Sequence, residues 1–275
     1  MQPSEDEILA ALKHYRAACL EHNSILFPHF IRHAETEQLP EEERDQWTTA
    51  EVAEARQSFM YRMLSVSRPS NLDPSLRVEV PADVMTKWDA MVVAFGLDGV
   101  FVTPDTEHRR ELCAAYKSGV EAGLRRIGAD IDFPADFEFL MSQVDSLEGQ
   151  GWPEYRGNDQ QIRFWSGLGE SETDVSDRVF GPDDDLGKET GLDDDNWEAA
   201  AAWECGRGPE TRCFVAYCRH EENGKEWRWR YVAERGQYGV DVFDNLVELL
   251  QWYETLYKPD LTYYLNFSGV SIFQC

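Results

Sequence analysis

The chain has 275 residues, 42% hydrophobic and 12% aromatic, enough to bury a sizeable core and too apolar for a disordered polymer. Acidic residues number 52 against 26 basic ones, a formal net charge of −26. Such a chain repels phosphate backbones and anionic lipid, which argues against nucleic acid and membrane and for a basic protein partner, with plain solubility as the alternative use of the charge.

The opening MQPSEDEILA lacks the basic start and apolar run of a signal peptide. No stretch approaches the roughly 18 unbroken apolar residues of a membrane span, so the expected location is the cytosol or nucleus. Cys19, Cys113, Cys205, Cys213, Cys218 and Cys275 form no CxxC pair and read as small buried hydrophobes in a reducing compartment.

The first half predicts helices. Ser4 and Glu7 form a capping box ahead of a stripe at Ile8, Leu9, Leu12, Tyr15 and Cys19. Pro28 is expected to interrupt that helix. Thr48 and Glu51 repeat the capping signature before Val52, Ala55, Phe59, Met60, Met63 and Leu64. The span from Ser65 to Pro81 reads as a connector. Asp83 to Phe95 predicts a helix stopped by Gly96. A longer helix starts near Asp105, carries Leu112, Tyr116, Val120, Leu124 and Ile127, and stops at Gly128. Phe133-Pro134 then opens a helix through Phe137, Leu140, Met141, Val144 and Leu147, broken at Gly149 and Gly151.

The second half changes texture. Gln161 to Trp165 alternates like a strand. Glu170 to Glu198 is acidic, with triplets at Asp183, Asp184, Asp185 and at Asp193, Asp194, Asp195, and its charge density predicts a mobile loop. Arg212 to His220 and Glu226 to Ala233 read as paired strands around the Asn223-Gly224 turn. Trp227, Trp229 and Tyr231 share one face of the second strand, Glu226, Arg228 and Arg230 the other. After turn residues Gly236 and Gly239, Asp241 is expected to cap a helix running from Val242 to Leu256 and ended by Pro259. The apolar tail from Leu261 to Phe273 is expected to add a strand or cover the core.

Chemistry-bearing motifs are few. His14, His22, His29 and His33 cluster early, and His29 and His33 have the four-residue spacing of metal ligands on a helix; ordinary packing is the competing reading and no metal is expected. The Asp triplets lack the order of a calcium loop. There is no GxSxG, Walker loop, HExxH or kinase signature, and acids follow Gly167-Leu168-Gly169 where a phosphate would sit. The Trp227, Trp229, Arg228 and Arg230 strand could stack a base or glycan, or could simply bury one aromatic face.

Two blocks carry a resemblance. One runs from Gly119-Val120-Glu121-Ala122 through Asp132-Phe133-Pro134-Ala135-Asp136-Phe137-Glu138-Phe139-Leu140; the other joins the late strand pair to Val240-Asp241-Val242-Phe243-Asp244-Asn245-Leu246-Val247-Glu248-Leu249-Leu250. Together, from about Val120 to Tyr257, they resemble the SUKH superfamily of fungal cell-wall assembly regulators and bacterial toxin-immunity proteins. The resemblance implies an α+β fold with a mixed sheet and flanking helices, and a protein-binding role without catalysis or cofactor.

These readings combine into a helical N-terminal extension over residues 1–100 and a SUKH-like α+β domain over 101–275, with an acidic loop at about 170–198. The expected function is a non-catalytic regulator or scaffold for a basic partner, in one version toxin-neutralising. Trp152, Tyr155 and Trp165 are the expected anchors and the Asp triplets the expected electrostatic contacts. The competing class is an enzyme using carboxylates with His29 and His33 in a cleft between the two halves.

Overall fold

A computed structural model describes residues 2–39, 41–42, 44–64, 66, 69–147, 163–168, 172–184, 186–192, 196–208, 211–221, 226–235, 239–256 and 272–273. The chain folds as α+β. No described helix is long and apolar enough to cross a membrane.

Helix α1 runs from Glu5 to Thr36. Ser4 and Glu7 cap it reciprocally: Ser4 N–H donates to the Glu7 carboxylate at 2.8 Å and Glu7 N–H to Ser4 Oγ at 3.3 Å. The helix does not stop at Pro28, as its ring and missing N–H suggest it should; the proline lies inside it. Leu26, Phe27, Phe30 and Ala34 on either side of Pro28 are fully buried, and that packing outweighs the local penalty of about 3 kcal/mol. Helix α2 (Thr49–Met63) carries the second predicted capping box, at Thr48 and Glu51. The connector forms two 3-10 turns, and the third predicted helix divides into α3 (Asp83–Thr86) and α4 (Trp88–Phe95).

Two hydrophobic cores share α1. Ile8, Leu12, Tyr15 and Cys19 join the core beneath the main sheet. Leu26 to Ala34 join a helical core with Phe59, Met60, Met91 and Phe95. Ile272 and Phe273 return to that helical core from the far end of the chain, so the cores cross the division at residue 100 in both directions. Between the cores the segment 97–99 ties α1 down. Asn23 Nδ2 donates to Leu97 O at 2.7 Å, Arg16 pairs with Asp98 at 2.6 Å, and the Tyr15 hydroxyl donates to Gly99 O at 3.2 Å. Gly99 has φ +86°, and a Cβ there would stand 2.7 Å from the Tyr15 hydroxyl, so no other residue fits.

Strand β1 (Val100–Phe101) leads to helix α5 (Thr106–Arg126), capped by Asp105, then to helix α6 (Ala135–Gln143). Helix α6 ends before Leu147, which lies instead in strand β2 (Ser146–Leu147), antiparallel to β1 and bridged to Trp165. The main sheet has the order β3 (Val179–Phe180), β4 (Trp197–Arg207), β5 (Arg212–His220), β6 (Arg228–Glu234) and β7 (Val240–Phe243). All described strand pairings are antiparallel. Val242 and Phe243 therefore belong to a strand, not to the helix predicted from Asp241. Asn245, whose side chain accepts the Glu248 N–H at 3.0 Å, opens helix α9 (Leu246–Leu256).

The acidic stretch is not the expected loop among its described residues. It supplies helix α7 (Glu172–Asp177), edge strand β3 and helix α8 (Leu186–Thr190). The reason is the apolar residues set among the acids. Val175 and Val179 enter the core beneath the sheet, while Leu186 and Leu192 cover the opposite sheet face against Phe214, Ala216 and Val232. Cations neutralise part of the charge. Arg212 bonds Glu189 O at 2.9 Å and the buried Glu204 carboxylate at 3.0 Å, which Arg207 also grips at 2.8 and 2.9 Å. Burial alone would raise the Glu204 pKa; the two arginines outweigh it and leave it lowered.

The contact of this stretch with α5 is testable. Arg126 donates to Ser176 O at 3.1 Å and Val179 O at 2.7 Å, and a Cβ at Gly123 would stand 2.6 Å from Val179 Cβ. Gly123→Ala is expected to destabilise the protein by about 1–3 kcal/mol in urea unfolding through overpacking. A change within about 0.5 kcal/mol would show the stretch undocked.

Candidate partner-binding site

Alternation along β6 sends Tyr231 and Trp229 toward the helices, and the burial falls off toward the strand's start. Tyr231 is fully buried against Phe137 and Phe164, with ring centroids at 6.3 and 5.9 Å. Trp229 is half-buried, edge-on to Trp203 at 5.1 Å and Tyr217 at 5.3 Å, and its indole N–H donates to Asp132 O at 2.6 Å. Trp227 lies just before the strand, stacked on Tyr217 at 5.7 Å with the rings 18° apart. The Arg219 guanidinium sits 5.0 Å from the Trp227 ring centroid. The core thus runs out to the surface as an aromatic wall.

That wall bounds a cleft of about 240 Å³. Gln2 and Pro3 close it ahead of α1, Pro134 and Asp136 ahead of and in α6, and Asp244 and Asn245 ahead of α9. Three helix N-termini therefore meet here. Asp136 is 8% exposed and its Oδ1 accepts the Phe137 N–H at 3.0 Å. Burial pushes its carboxyl above the usual aspartate range, against the pull of donors on Tyr231, Phe137 and Leu246. Burial and the Asp136 charge together push the Tyr231 phenol well up. Arg228 lines the cleft but is paired with Asp244, which also takes Arg230 Nε at 2.7 Å. Arg230 is fully buried on the other sheet face, its guanidinium 5.0 Å from the Trp197 ring centroid.

A second cavity, a groove of about 660 Å³, lies between α5 and α6. Two of its cations are paired, Arg109 with Asp145 at 2.6 Å and Lys117 with Glu138 at 2.7 Å, while Arg110 also lines it. The Cys113 thiol donates to Met141 O at 3.2 Å, and burial raises its pKa, so it is held as a thiol and not as a nucleophile.

The residues singled out from the sequence fare unevenly. Trp165 has no exposed surface and packs against Phe137 at 5.5 Å and Tyr116 at 6.3 Å, so it is core and cannot anchor a partner. Trp152, Tyr155, Asp185, Asp193, Asp194 and Asp195 lie outside the described residues. Asp183 and Asp184 are exposed on the 3-10 turn Pro182–Asp184, where Asp184 accepts the Gly181 N–H at 2.8 Å. Tyr217, Asp136 and Asp244 escaped sequence reasoning as site residues. Tyr217 stands opposite Trp229 in the β5–β6 register, a relation that only the folded sheet defines.

The histidines line neither cavity. His33 pairs with Glu37 one turn on, at 3.1 Å, and rests edge-on to Phe59. Among the described residues no three of His, Cys, Asp and Glu come together to hold a metal. No protein-family model, curated protein or solved structure matches the chain.

His22 gives a stability test. Burial lowers its pKa to about 4. Between that value and the unfolded one, about 6.5, the unfolded chain holds a proton that the folded chain does not. Stability is therefore complete above this window and falls as pH drops through it. In urea unfolding at about pH 7 and about pH 4.5, His22→Gln is expected to lose less stability on acidification than the parent; equal losses would contradict this.

Proposed function

We propose that this chain is a non-catalytic protein-binding regulator or scaffold, acting on a basic partner in the cytosol or nucleus. The observation that carries the reading is the cleft at Trp227: small, aromatic-walled, floored by a buried carboxylate and set in a chain of net charge −26. Half-buried aromatics beside a rim of charge are the usual make-up of a binding anchor, and a negative exterior speeds encounter with a positive surface. The SUKH resemblance supports the same class, and within it the toxin-neutralising version is a finer proposal that rests on the resemblance alone. Asp183 and Asp184, on the exposed turn, fit an outlying electrostatic role.

Capture at low salt, identification by mass spectrometry and titration of the purified pair test the reading. The partner is expected to be basic, and its affinity to fall at least about tenfold between about 50 mM and about 500 mM salt. An affinity unmoved by salt would contradict it.

A further inference from the structure

We propose that helix α8 is a pH-sensitive cover on the outer face of the sheet: a proton on Glu234 holds it down, and loss of that proton lets it lift.

The cover is small. Leu186 and Leu192, at either end of the segment that carries α8, are buried over Phe214, Ala216 and Val232. Arg212 clasps the segment from the sheet. It donates to Glu189 O at 2.9 Å and to the Glu189 carboxylate at 3.2 Å. The same guanidinium donates to Glu204 at 3.0 Å, so the cover and the sheet share it.

Glu234 stands at this clasp. It lies opposite Arg212 in the β5–β6 register, on the same sheet face. It also lies beneath the residue that follows α8: a Cβ on Gly191 would come within 3.6 Å of Glu234 Cγ and 4.0 Å of its Cδ. Glu234 Oε2 is buried, and among the described residues no group donates a hydrogen bond to it. A buried carboxylate oxygen without a donor is costly when charged and much less so when the group is protonated.

The surrounding charges point the same way. Arg212 on β5 favours ionisation, while Glu189 on α8 and Glu204 on β4 oppose it. Of the other cations nearby in the chain, Arg207 on β4 is taken by Glu204, and Arg235 pairs with Asp241 of β7 at 2.8 Å; Lys188 of α8 is exposed. Burial, against the pull of Arg212 and with Glu189 and Glu204 behind it, raises the Glu234 pKa. Glu204 is not the switch, because its two arginines keep it ionised.

The segment supplies two of the causes that raise Glu234: cover from Gly191 and the charge of Glu189. Lifting it removes both and lets the Glu234 pKa fall back. Linkage is reciprocal, so a proton on Glu234 strengthens docking by the factor by which docking strengthens the proton. The extra hold is complete below the ordinary glutamate range and is lost as pH rises through the raised value. Lifting uncovers the apolar face formed by Phe214, Ala216 and Val232.

Hydrogen exchange on the full chain tests this, with rates at residues 187–192 converted to protection factors at each pH from about 5 to about 8. Protection there is expected to fall at least about threefold as pH rises, while that of α1 stays level. Glu234→Gln, which keeps the shape and cannot ionise, is expected to flatten the profile. A flat profile in the parent, or the same fall in Glu234→Gln, would overturn the proposal. Should Glu234→Gln not fold, the Glu234 carboxyl is titrated by ¹³C signals in the parent and in Glu189→Gln. Its pKa is expected to be lower in Glu189→Gln; an equal or higher value would overturn the proposal.

Discussion

The structure hangs on α1, one helix that belongs to two cores. Its first half supplies Tyr15, which stacks on Tyr253 of α9 with centroids 5.2 Å apart and rings 9° from parallel. Its second half supplies Phe27, edge-on to Trp88 at 5.6 Å in the helical core. A helix of this length has little stability of its own in water and takes it from the faces it buries. With α1 buried at both ends and tied at its middle to segment 97–99, the helical core and the sheet share a rigid member. The same docking brings Gln2 and Pro3, just ahead of α1, to the cleft at the start of β6. The cleft is thus a consequence of how the cores are joined.

The sheet presents two chemically different faces. Toward the helices it carries Trp203, Tyr231 and Trp229, packed with Phe133, Phe137 and Trp165. Away from them, the acidic stretch lays Leu186 and Leu192 over Phe214 and Val232, clasped by Arg212. In a chain with this much negative charge, several arginines sit where acids are buried or brought together. Arg212, Arg230 and Arg109 each serve a carboxylate and a backbone carbonyl at once.

Much of this was legible in the sequence where local chemistry decides. The capping boxes at Ser4 and Thr48, the helix start near Asp105, and the strand from Arg212 to His220 depend on neighbours in the chain, and they form as read. The errors fall where distant packing overrides a local preference. Pro28 disfavours a helix that Leu26, Phe27 and Phe30 require. The acids of the 170–198 stretch mask Val175, Val179, Leu186 and Leu192, whose burial decides the structure. Trp165 looked like an anchor because a tryptophan beside a glycine-rich segment gives no sign of which side faces inward. The cleft was the least legible part, since Asp136, Tyr217 and Trp227 meet only after register and helix docking are set. The strand that holds Trp229, with Trp227 just ahead of it, did announce itself, through alternation and paired arginines.

The binding reading and the fold share one premise: the two cores, joined by α1, behave as a single unit. Urea unfolding followed by ¹⁹F signals of fluorinated tryptophan separates them, because Trp88 reports on the helical core and Trp229 on the cleft. The account predicts one midpoint for both signals. Two separated midpoints, with Trp88 lost while Trp229 stays native, would contradict it.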